Sequence, residues 1–318
     1  MFRAGVRMAA FAGVGLLALA WSATARAQVK LEAKFPEGQT LRYRIRTSMH
    51  QVVYNLGMEM PSNRERTVVR SEAIGKRRGD ASLPIAVKIE SLRERLRLPG
   101  GLDVTYDSKD KAAKVDRPEL DFFDALYKTA GQVSYTVVLD GKNKVKAIEG
   151  GDALRERVDR LDPRAADLIR SQLAADTLKT EFAQALGALP DGPAKPGEPW
   201  ERTEAVDSGA GLEIVLRKKY EYAGTEKKGK KTLDKITAKV IEAKCRQDAD
   251  SSAPMKLTKS DLKVGASEGT VLFDREAGRI VESRDRLELK GNLTFSAQGQ
   301  DQACRFDLTM RTEVQLQP

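Results

Sequence analysis

One stretch decides the fold class of this chain: Leu41-Arg42-Tyr43-Arg44-Ile45-Arg46, in which apolar and basic residues alternate. Successive side chains of a β-strand point to opposite faces, so a period of two predicts a strand with one apolar face and one face in water. The same alternation recurs along the chain, at 87–90, 212–222 and 306–310. Turn residues such as Gly79-Asp80 separate these runs, so we expect long antiparallel hairpins.

Two regions have helical spacing instead. A short helix is predicted near 117–130, where Asp116 and Pro118 open an apolar stripe. Three amphipathic helices are predicted in a block near 152–187, with caps at Asp162-Pro163 and Asp176. The predicted fold is therefore α+β and mainly antiparallel β, with long curved hairpins in two sheet-forming halves and with the helices packing on the sheet.

The order of these elements predicts the organisation of the chain. Prolines recur at every third residue from 190 to 199, which predicts a stiff polyproline II connector. Residues 28–189 form a β-rich N-terminal half that ends in the helical block, and residues 200–318 form an antiparallel C-terminal half. A change of phase at Ile241 predicts a β-bulge. Whether the two halves share one sheet or form two domains stays open.

The first 27 residues predict export. Arg3 and Arg7 precede an apolar run from Met8 to Trp21, and Ala25-Arg26-Ala27 supplies small residues at the positions that a signal peptidase recognises. About 14 apolar residues are too few for a permanent membrane anchor. We expect residues 1–27 to be a signal peptide, the mature chain to begin at Gln28, and the protein to lie in the periplasm or outside the cell, without a transmembrane anchor.

The charge is mildly basic. The chain has 55 basic and 46 acidic residues, and three of the arginines lie in the leader. Nucleic-acid binders concentrate their charge on one face, and export also argues against that class. Two basic turns are candidates for contact with an anionic surface, or are solvated turns that discourage edge pairing. Their basic residues are Lys76, Arg77, Arg78, Lys227, Lys228, Lys230 and Lys231.

Four short stretches carry a resemblance that runs through nearly all of the mature chain. They are Phe35–Gln39, Glu90–Arg93, Pro196–Trp200 and Gly269–Asp274. These stretches resemble a family of exported bacterial proteins known as a domain of unknown function. The resemblance implies a shared fold and assigns no site residues. The layout of curved hairpins with covering helices is also similar, more distantly, to the periplasmic lipoprotein-carrier cradles, and that likeness is one of architecture alone.

No catalytic motif is present in the sequence. The chain has one histidine, His50, and any Ser-His-Asp or Cys-His arrangement would have to use it. The spacing of Ser260 and Lys263 matches S-x-x-K, but both fall in a strand pattern, where three residues apart means opposite faces. Phosphate-binding glycine loops, metal-ligand patterns and dinucleotide fingerprints are absent from the sequence, so we expect no cofactor and no metal.

Two cysteines remain after the leader, Cys245 and Cys304. Each shares strand parity with apolar neighbours, so both sulfur atoms are expected in the core. An oxidising compartment favours a disulfide between them, and two buried thiols are the alternative that the sequence leaves open.

These observations favour an exported, non-enzymatic, β-rich binding or scaffolding protein of the cell envelope. Its partner would be a lipid, a peptide or another envelope protein. One alternative is a lipid- or lipoprotein-carrier-like protein, with an apolar cavity lined by residues such as Leu41, Tyr43, Val87, Tyr220 and Phe273. The other is a cryptic hydrolase that uses His50 in a cleft. The sequence does not identify the ligand or the oligomeric state.

Overall fold

The computed structural model describes residues 28–55, 57–110, 121–170, 172–209, 212–247, 255–297 and 299–318. The predicted leader, residues 1–27, and the predicted start of the first helix at Asp116 and Pro118 lie outside these residues.

Twelve antiparallel strands form one sheet, as the alternation predicts. The strands are β1 (Thr40–Asn55), β2 (Met58–Ile74), β3 (Leu83–Leu98), β4 (Leu102–Asp107), β5 (Ser134–Leu139), β6 (Val145–Glu149), β7 (Trp200–Gly209), β8 (Leu212–Lys228), β9 (Lys231–Gln247), β10 (Lys256–Asp274), β11 (Arg279–Ala297) and β12 (Gln300–Leu316). Their order in the sheet is β6-β5-β3-β2-β1-β12-β11-β10-β9-β8-β7, and β4 pairs with β3 beside β5.

The first and last strands join the two halves. β1 pairs with β12 over a long register that runs from Tyr43 opposite Leu316 to Tyr54 opposite Arg305. The halves therefore share one continuous sheet, which resolves the question that the sequence leaves open. The predicted bulge is confirmed, because Val240 faces Lys218 and Glu242 faces Arg217, which leaves Ile241 without a partner.

The four helices lie on one face of the sheet, called the inner face here. They are α1 (Phe122–Ala130), α2 (Gly151–Asp159), α3 (Pro163–Ile169) and α4 (Ala175–Gly187). The predicted three-helix block is confirmed, and the side chain of Asp162 caps α3 by accepting from the amide of Arg164. The predicted cap at Asp176 is wrong, because α4 begins at Ala175 and Asp176 lies inside its first turn. Phe123 and Tyr127 of α1 pack with Leu92 and Val104 of the sheet.

In the C-terminal half the inner face packs largely on itself. Ile214, Leu289 and Leu308, from β8, β11 and β12, share one buried cluster to which none of the described helices contributes. The paired register of β9 and β10 covers only 234–238 and 269–273. Beyond it, the hydroxyl groups of Ser267 and Ser260 accept from backbone amides of β9 at 2.8 Å. Beyond the paired register, serine hydroxyl groups therefore accept backbone hydrogen bonds that strand pairing between β9 and β10 would otherwise satisfy.

Helix α4 lies between β6 and β7, the two end strands of the sheet order. It packs against β6 on one side. On the other side, the side-chain amide of Gln184 accepts from the amide of Ala205 in β7 at 2.9 Å and donates to its carbonyl at 3.2 Å. An exposed edge strand invites pairing with another chain, and this contact occupies part of that edge.

The segment before β1 crosses one end of the sheet. Val29 and Leu31 are buried beside Tyr222 and Phe273, and Phe35 packs in the cluster on the other side of that end. Val29 also forms an antiparallel backbone bridge with Ala194 of the predicted connector. The segment before β1 and the connector therefore satisfy each other's backbone groups at this end of the sheet.

Candidate functional site

The inner face is only half-buried in its middle, on β12, β1 and β2. On either side of these strands the inner-facing side chains are buried, for example Leu92 on β3 and Leu289 on β11. We call the half-buried middle the central cleft. It is lined by Ile45, Thr47, Met49, Gln51 and Val53 of β1, by Met60, Ser62, Arg64, Arg66 and Val68 of β2, and by Met310, Thr312 and Val314 of β12.

A buried carboxylate lies at one margin of the cleft. Glu94 of β3 is 0% exposed, and it faces two arginines of β2 whose side chains are 30% and 27% exposed. Nε of Arg64 donates to Glu94 at 2.5 Å, and Nε of Arg66 lies 3.4 Å from its other oxygen. Burial lowers the pKa of Arg66 and outweighs the opposing effect of Glu94. Burial, and next the charge of Glu94, raise the pKa of Tyr127 in α1, so this tyrosine stays neutral.

A second ion pair lies nearer the end of β2. Arg70 donates to Glu72 at 2.6 Å, and both side chains are largely buried. The adjoining Tyr135 has its pKa raised to about 12, chiefly by burial. Burial and the charge of Glu72 raise the pKa of Tyr43 in the same way. The two tyrosines therefore remain neutral donors beside a pair whose charges cancel.

The C-terminal half has its own charged network on the inner face. Nζ of Lys218 lies 2.8 Å from Glu204 and 3.6 Å from Asp285. Tyr220 donates its hydroxyl to Glu204 as well. Burial lowers the pKa of Lys218, but the two carboxylates outweigh it and raise that pKa. Burial raises the pKa of Asp285. A Cβ atom at Gly269 would lie 2.6 Å from Asp285, so glycine is needed there to leave room for the carboxylate.

Sequence reasoning missed these inner-face charges, although a signal for them exists. Glu94 has the strand parity of the apolar Leu92 and Leu96, and Lys218 has that of Leu216 and Tyr220. A charged residue on the apolar parity of a strand must be paired when it is buried. The networks of Glu94 and Lys218 satisfy that requirement with opposite charges.

His50 is exposed on the outer face of β1. Its Nδ1 lies 2.6 Å from the side-chain oxygen of Asn63, and its partners in register are Asn63 and Thr309. Ser62, a serine close to His50 in sequence, lies on the other face of the sheet, where it is opposite Gln51. The cleft that the hydrolase alternative requires around His50 is therefore not formed by these neighbours. Among the described residues, no group of three or more His, Cys, Asp or Glu could hold a metal.

Cys245 and Cys304 are buried free thiols. They lie on β9 and β12, which are separated in the sheet by β10 and β11. The burial that the sequence predicts is confirmed, and the structure has the thiol form rather than the disulfide. Burial raises the pKa of Cys245 to about 11, which keeps the thiol protonated and unreactive at neutral pH.

The residues expected to line an apolar cavity are packed in separate clusters. Leu41 and Val87 are buried together, with Tyr43 beside them. Tyr220 and Phe273 belong to another cluster. These five residues therefore belong to two separate packed clusters in the structure.

The two basic turns lie at the same end of the sheet. In the first turn, Arg78 is held by Glu149 through two hydrogen bonds of 2.6 and 2.8 Å, and Arg77 donates to the carbonyl of Ala81 and to Asn143. In the second turn, Lys228 pairs with Glu282, and Lys231 pairs with Asp274.

Three lysines of these two turns, Lys76, Lys227 and Lys230, are exposed and make no ion pair with a described residue. Lys228 and Lys231 also line a cavity of about 440 Å³ with Arg44 and Leu316.

None of α1–α4 combines the length and apolarity needed for crossing a membrane, within the part of the chain that the structure describes.

Three solved structures match this chain weakly. A structure described as "lipid–protein interactions in lipovitellin" matches 90% of this chain and 26% of its own chain, with a TM-score of 0.43 and 10% identity. The translocator domain of the autotransporter NalP from Neisseria meningitidis matches over 87% and 90%, with a TM-score of 0.15 and 7% identity. The Pseudomonas aeruginosa MucA/MucB complex matches over 86% and 88%, with a TM-score of 0.13 and 10% identity. These values establish no shared function.

No curated protein matches this chain. One sequence family does match, over residues 80–280, and its description is "Family of unknown function (DUF6263)". The match extends from the start of β3 into β11 and thus includes all four helices and one margin of the central cleft. Because it covers more than half of the chain, the protein belongs to the DUF6263 family of unknown function.

Proposed function

We propose that this protein is an exported, non-enzymatic binding protein of the cell envelope, whose ligand is an extended apolar chain such as the acyl chain of a lipid. The observation that carries the proposal is the central cleft, where the inner face of an otherwise packed sheet stays half-exposed. Its lining combines apolar side chains with polar ones such as Thr47 and Gln51, and partly exposed apolar surface often marks a binding site.

The shape and lining of the cleft favour an elongated ligand. From Ile45 to Val53 along β1 the cleft is about 27 Å long, at roughly 3.3 Å for each residue. Three of its apolar side chains are methionines, Met49, Met60 and Met310, whose flexible thioethers adapt to ligands of variable shape. Ile45 and Val314 face each other in register and belong to none of the packed clusters of described residues.

The state of the sheet edges favours a lipid over a peptide. An extended peptide binds to a sheet by adding a strand to a free edge. Here the side chain of Gln184 forms hydrogen bonds with the backbone of Ala205 on the edge strand β7, and α4 packs against the other end strand, β6, although β4 keeps one unpaired side. A ligand on the inner face would instead contact side chains, which suits an acyl chain without hydrogen-bonding groups.

The pairing of the inner-face charges supports a binding role rather than catalysis. Glu94 is held by two arginines, and Lys218 lies between Glu204 and Asp285. A general acid or base must be able to exchange its proton with a substrate, whereas these groups are committed to one another. The proposed export depends on the leader pattern of residues 1–27.

Native mass spectrometry of the protein purified from its own host, without detergent, tests the proposal. The expected result is a chain that begins at Gln28 and carries an adduct with the mass of a lipid. Ile45→Glu and Val314→Glu place a charge in the cleft and should remove the adduct. Val52→Glu is the matched control, because Val52 lies on the same strand and faces outward.

Other outcomes contradict the proposal in distinct ways. An adduct that survives both cleft variants would place the ligand elsewhere. A co-purifying protein chain without lipid would favour the scaffolding role. A chain that retains residues 1–27 would contradict the proposed export.

A further inference from the structure

Three hairpin turns at one end of the sheet concentrate basic charge. They connect β2 to β3 (75–82), β5 to β6 (140–144) and β8 to β9 (226–231), and together they contain nine basic and three acidic residues. Because neighbouring strands are antiparallel, all three turns lie at the end where β1 begins and β12 ends. We call these three turns the lysine rim.

Hydrogen bonds connect the first two turns of the rim. Arg77 donates to Asn143 at 3.0 Å, and Lys146 pairs with Asp80 at 3.0 Å. The amide of Arg77 also donates to Glu37, in the segment that crosses this end of the sheet. The turns therefore keep a fixed position relative to each other and to that segment.

The same segment leads to the third turn. The amide of Lys34 donates to Gly278 at 2.8 Å, in the turn between β10 and β11. Lys231 of the lysine rim pairs with Asp274, just before that turn, at 2.7 Å. The rim is thus a connected feature of the fold rather than three independent loops.

Five lysines of the rim form no ion pair within the part of the chain that the structure describes. All five are exposed, and none forms an ion pair with a described residue. They are Lys76, Lys142, Lys144, Lys227 and Lys230. Lys142 and Lys144 were not among the candidates from sequence, because the turn that contains them has no run of basic residues.

Among the turn residues that the structure describes at the opposite end of the sheet, none is charged. The described turn residues there include Pro99, Gly100 and Gly101 between β3 and β4, and Gly299 between β11 and β12. The exposed Met58 also lies at that end. The charge is therefore polarised along the strand direction, so that one end meets an anionic surface more favourably than the other.

We propose that the lysine rim docks this protein on the surface of a membrane that contains anionic phospholipid. Juxtamembrane lysines are attracted to such a surface without needing a shaped pocket, which suits flexible side chains on separate turns. The lysine rim is separate from the central cleft, so the two proposals can fail independently.

Vesicle co-sedimentation tests the docking. The probe is vesicles with about one third phosphatidylglycerol in phosphatidylcholine, compared with pure phosphatidylcholine, and the protein is purified after export. The rim variant replaces all five lysines by glutamine. The matched control replaces five exposed lysines of the outer sheet face that also have no ion pair with a described residue. These control positions are Lys219, Lys239, Lys259, Lys263 and Lys290.

The rim variant and the control variant have the same net charge. A difference in their binding to anionic vesicles therefore depends on where the removed lysines lie. Each lysine near an anionic membrane contributes about a fivefold gain in partitioning, so removing all five should lower the partitioning of the rim variant by up to roughly three thousandfold. The control should stay close to the wild type, and wild-type binding should fall steeply as salt rises. Thermal unfolding of both variants verifies that they are folded.

A second readout locates the contact directly. Anionic vesicles should protect the five rim lysines of the wild-type protein from acetylation and leave the five control lysines reactive. Equal loss of binding in the two variants, or equal protection of the two sets, would overturn the proposal. Absence of wild-type binding to anionic vesicles would also overturn it, including the case in which the protein binds an anionic polysaccharide instead.

Discussion

Replacing Glu94 by leucine should destabilise the protein strongly, because Glu94 is the buried counter-charge of two arginines. The carboxylate is fully buried, whereas Arg64 and Arg66 retain about a quarter to a third of their exposure. In the variant both guanidinium groups stay on the inner face without that carboxylate. Removal of one member of a buried ion pair typically costs about 3–5 kcal/mol, mostly from the uncompensated charge.

The partial exposure of the arginines reduces this cost. Both arginine side chains are partly exposed, so about 2–3 kcal/mol is the expected decrease in the free energy of unfolding. A chain of this size should then unfold roughly 5–10 °C lower. Glu90→Leu is the matched control, because Glu90 lies on the outer face of the same strand and pairs with the exposed Arg42 at 2.5 Å. A surface pair of that kind contributes about 1 kcal/mol or less.

Urea unfolding, followed by circular dichroism, measures both variants. A triple variant that also replaces Arg64 and Arg66 by methionine should recover most of the loss, since an apolar replacement of the whole network leaves no charge unpaired. If Glu94→Leu costs no more than Glu90→Leu, Glu94 is not buried between the arginines. If the triple variant is less stable than Glu94→Leu, the uncompensated charge is not the cause.

Three further predictions concern the C-terminal half. Gly269→Ala should lower the free energy of unfolding, measured in urea, by about 1–3 kcal/mol, because the new Cβ would be too close to Asp285 and Ala238. An unchanged unfolding midpoint would contradict this packing. Burial raises the pKa of Asp285 above its ordinary value of 3.8, so its charged form destabilises the fold as pH rises above that value. Asp285→Asn should therefore gain stability relative to the wild type as pH rises from about 4 to 7, and a difference independent of pH would refute the shift. Cys245 and Cys304 should resist a thiol reagent at pH 8 in the folded protein, and both should react after unfolding without reductant; a disulfide would leave neither thiol reactive.

Local pattern was sufficient to predict the strands, the helical block and the bulge. The alternation that begins at Leu41 specifies which side chains share a face, and Asp162 with Pro163 specifies where α3 begins. Ile241 interrupts the alternation at the position where the register shifts. These signals lie within a few residues of the structure that they determine, which is why a single sequence contains them.

Pairing between distant segments could not be predicted in the same way. The contact of β1 with β12 joins opposite ends of the described chain, and its register follows from the fit of the whole sheet. The central cleft depends on that contact, since it lies where the two halves meet. The thiol state of Cys245 and Cys304 likewise depends on how the folded sheet places the two sulfur atoms, which spacing along the chain does not encode.

The location of a bound acyl chain tests the central claim most directly. A fatty acid with a photoactivatable group along its chain would be crosslinked to the purified protein and mapped by mass spectrometry. The account predicts crosslinks to inner-facing residues of the central cleft, such as Ile45, Met49 and Val314, and their loss when unlabelled fatty acid competes. Crosslinks that fall mainly on the outer face, or that competition does not reduce, would contradict it.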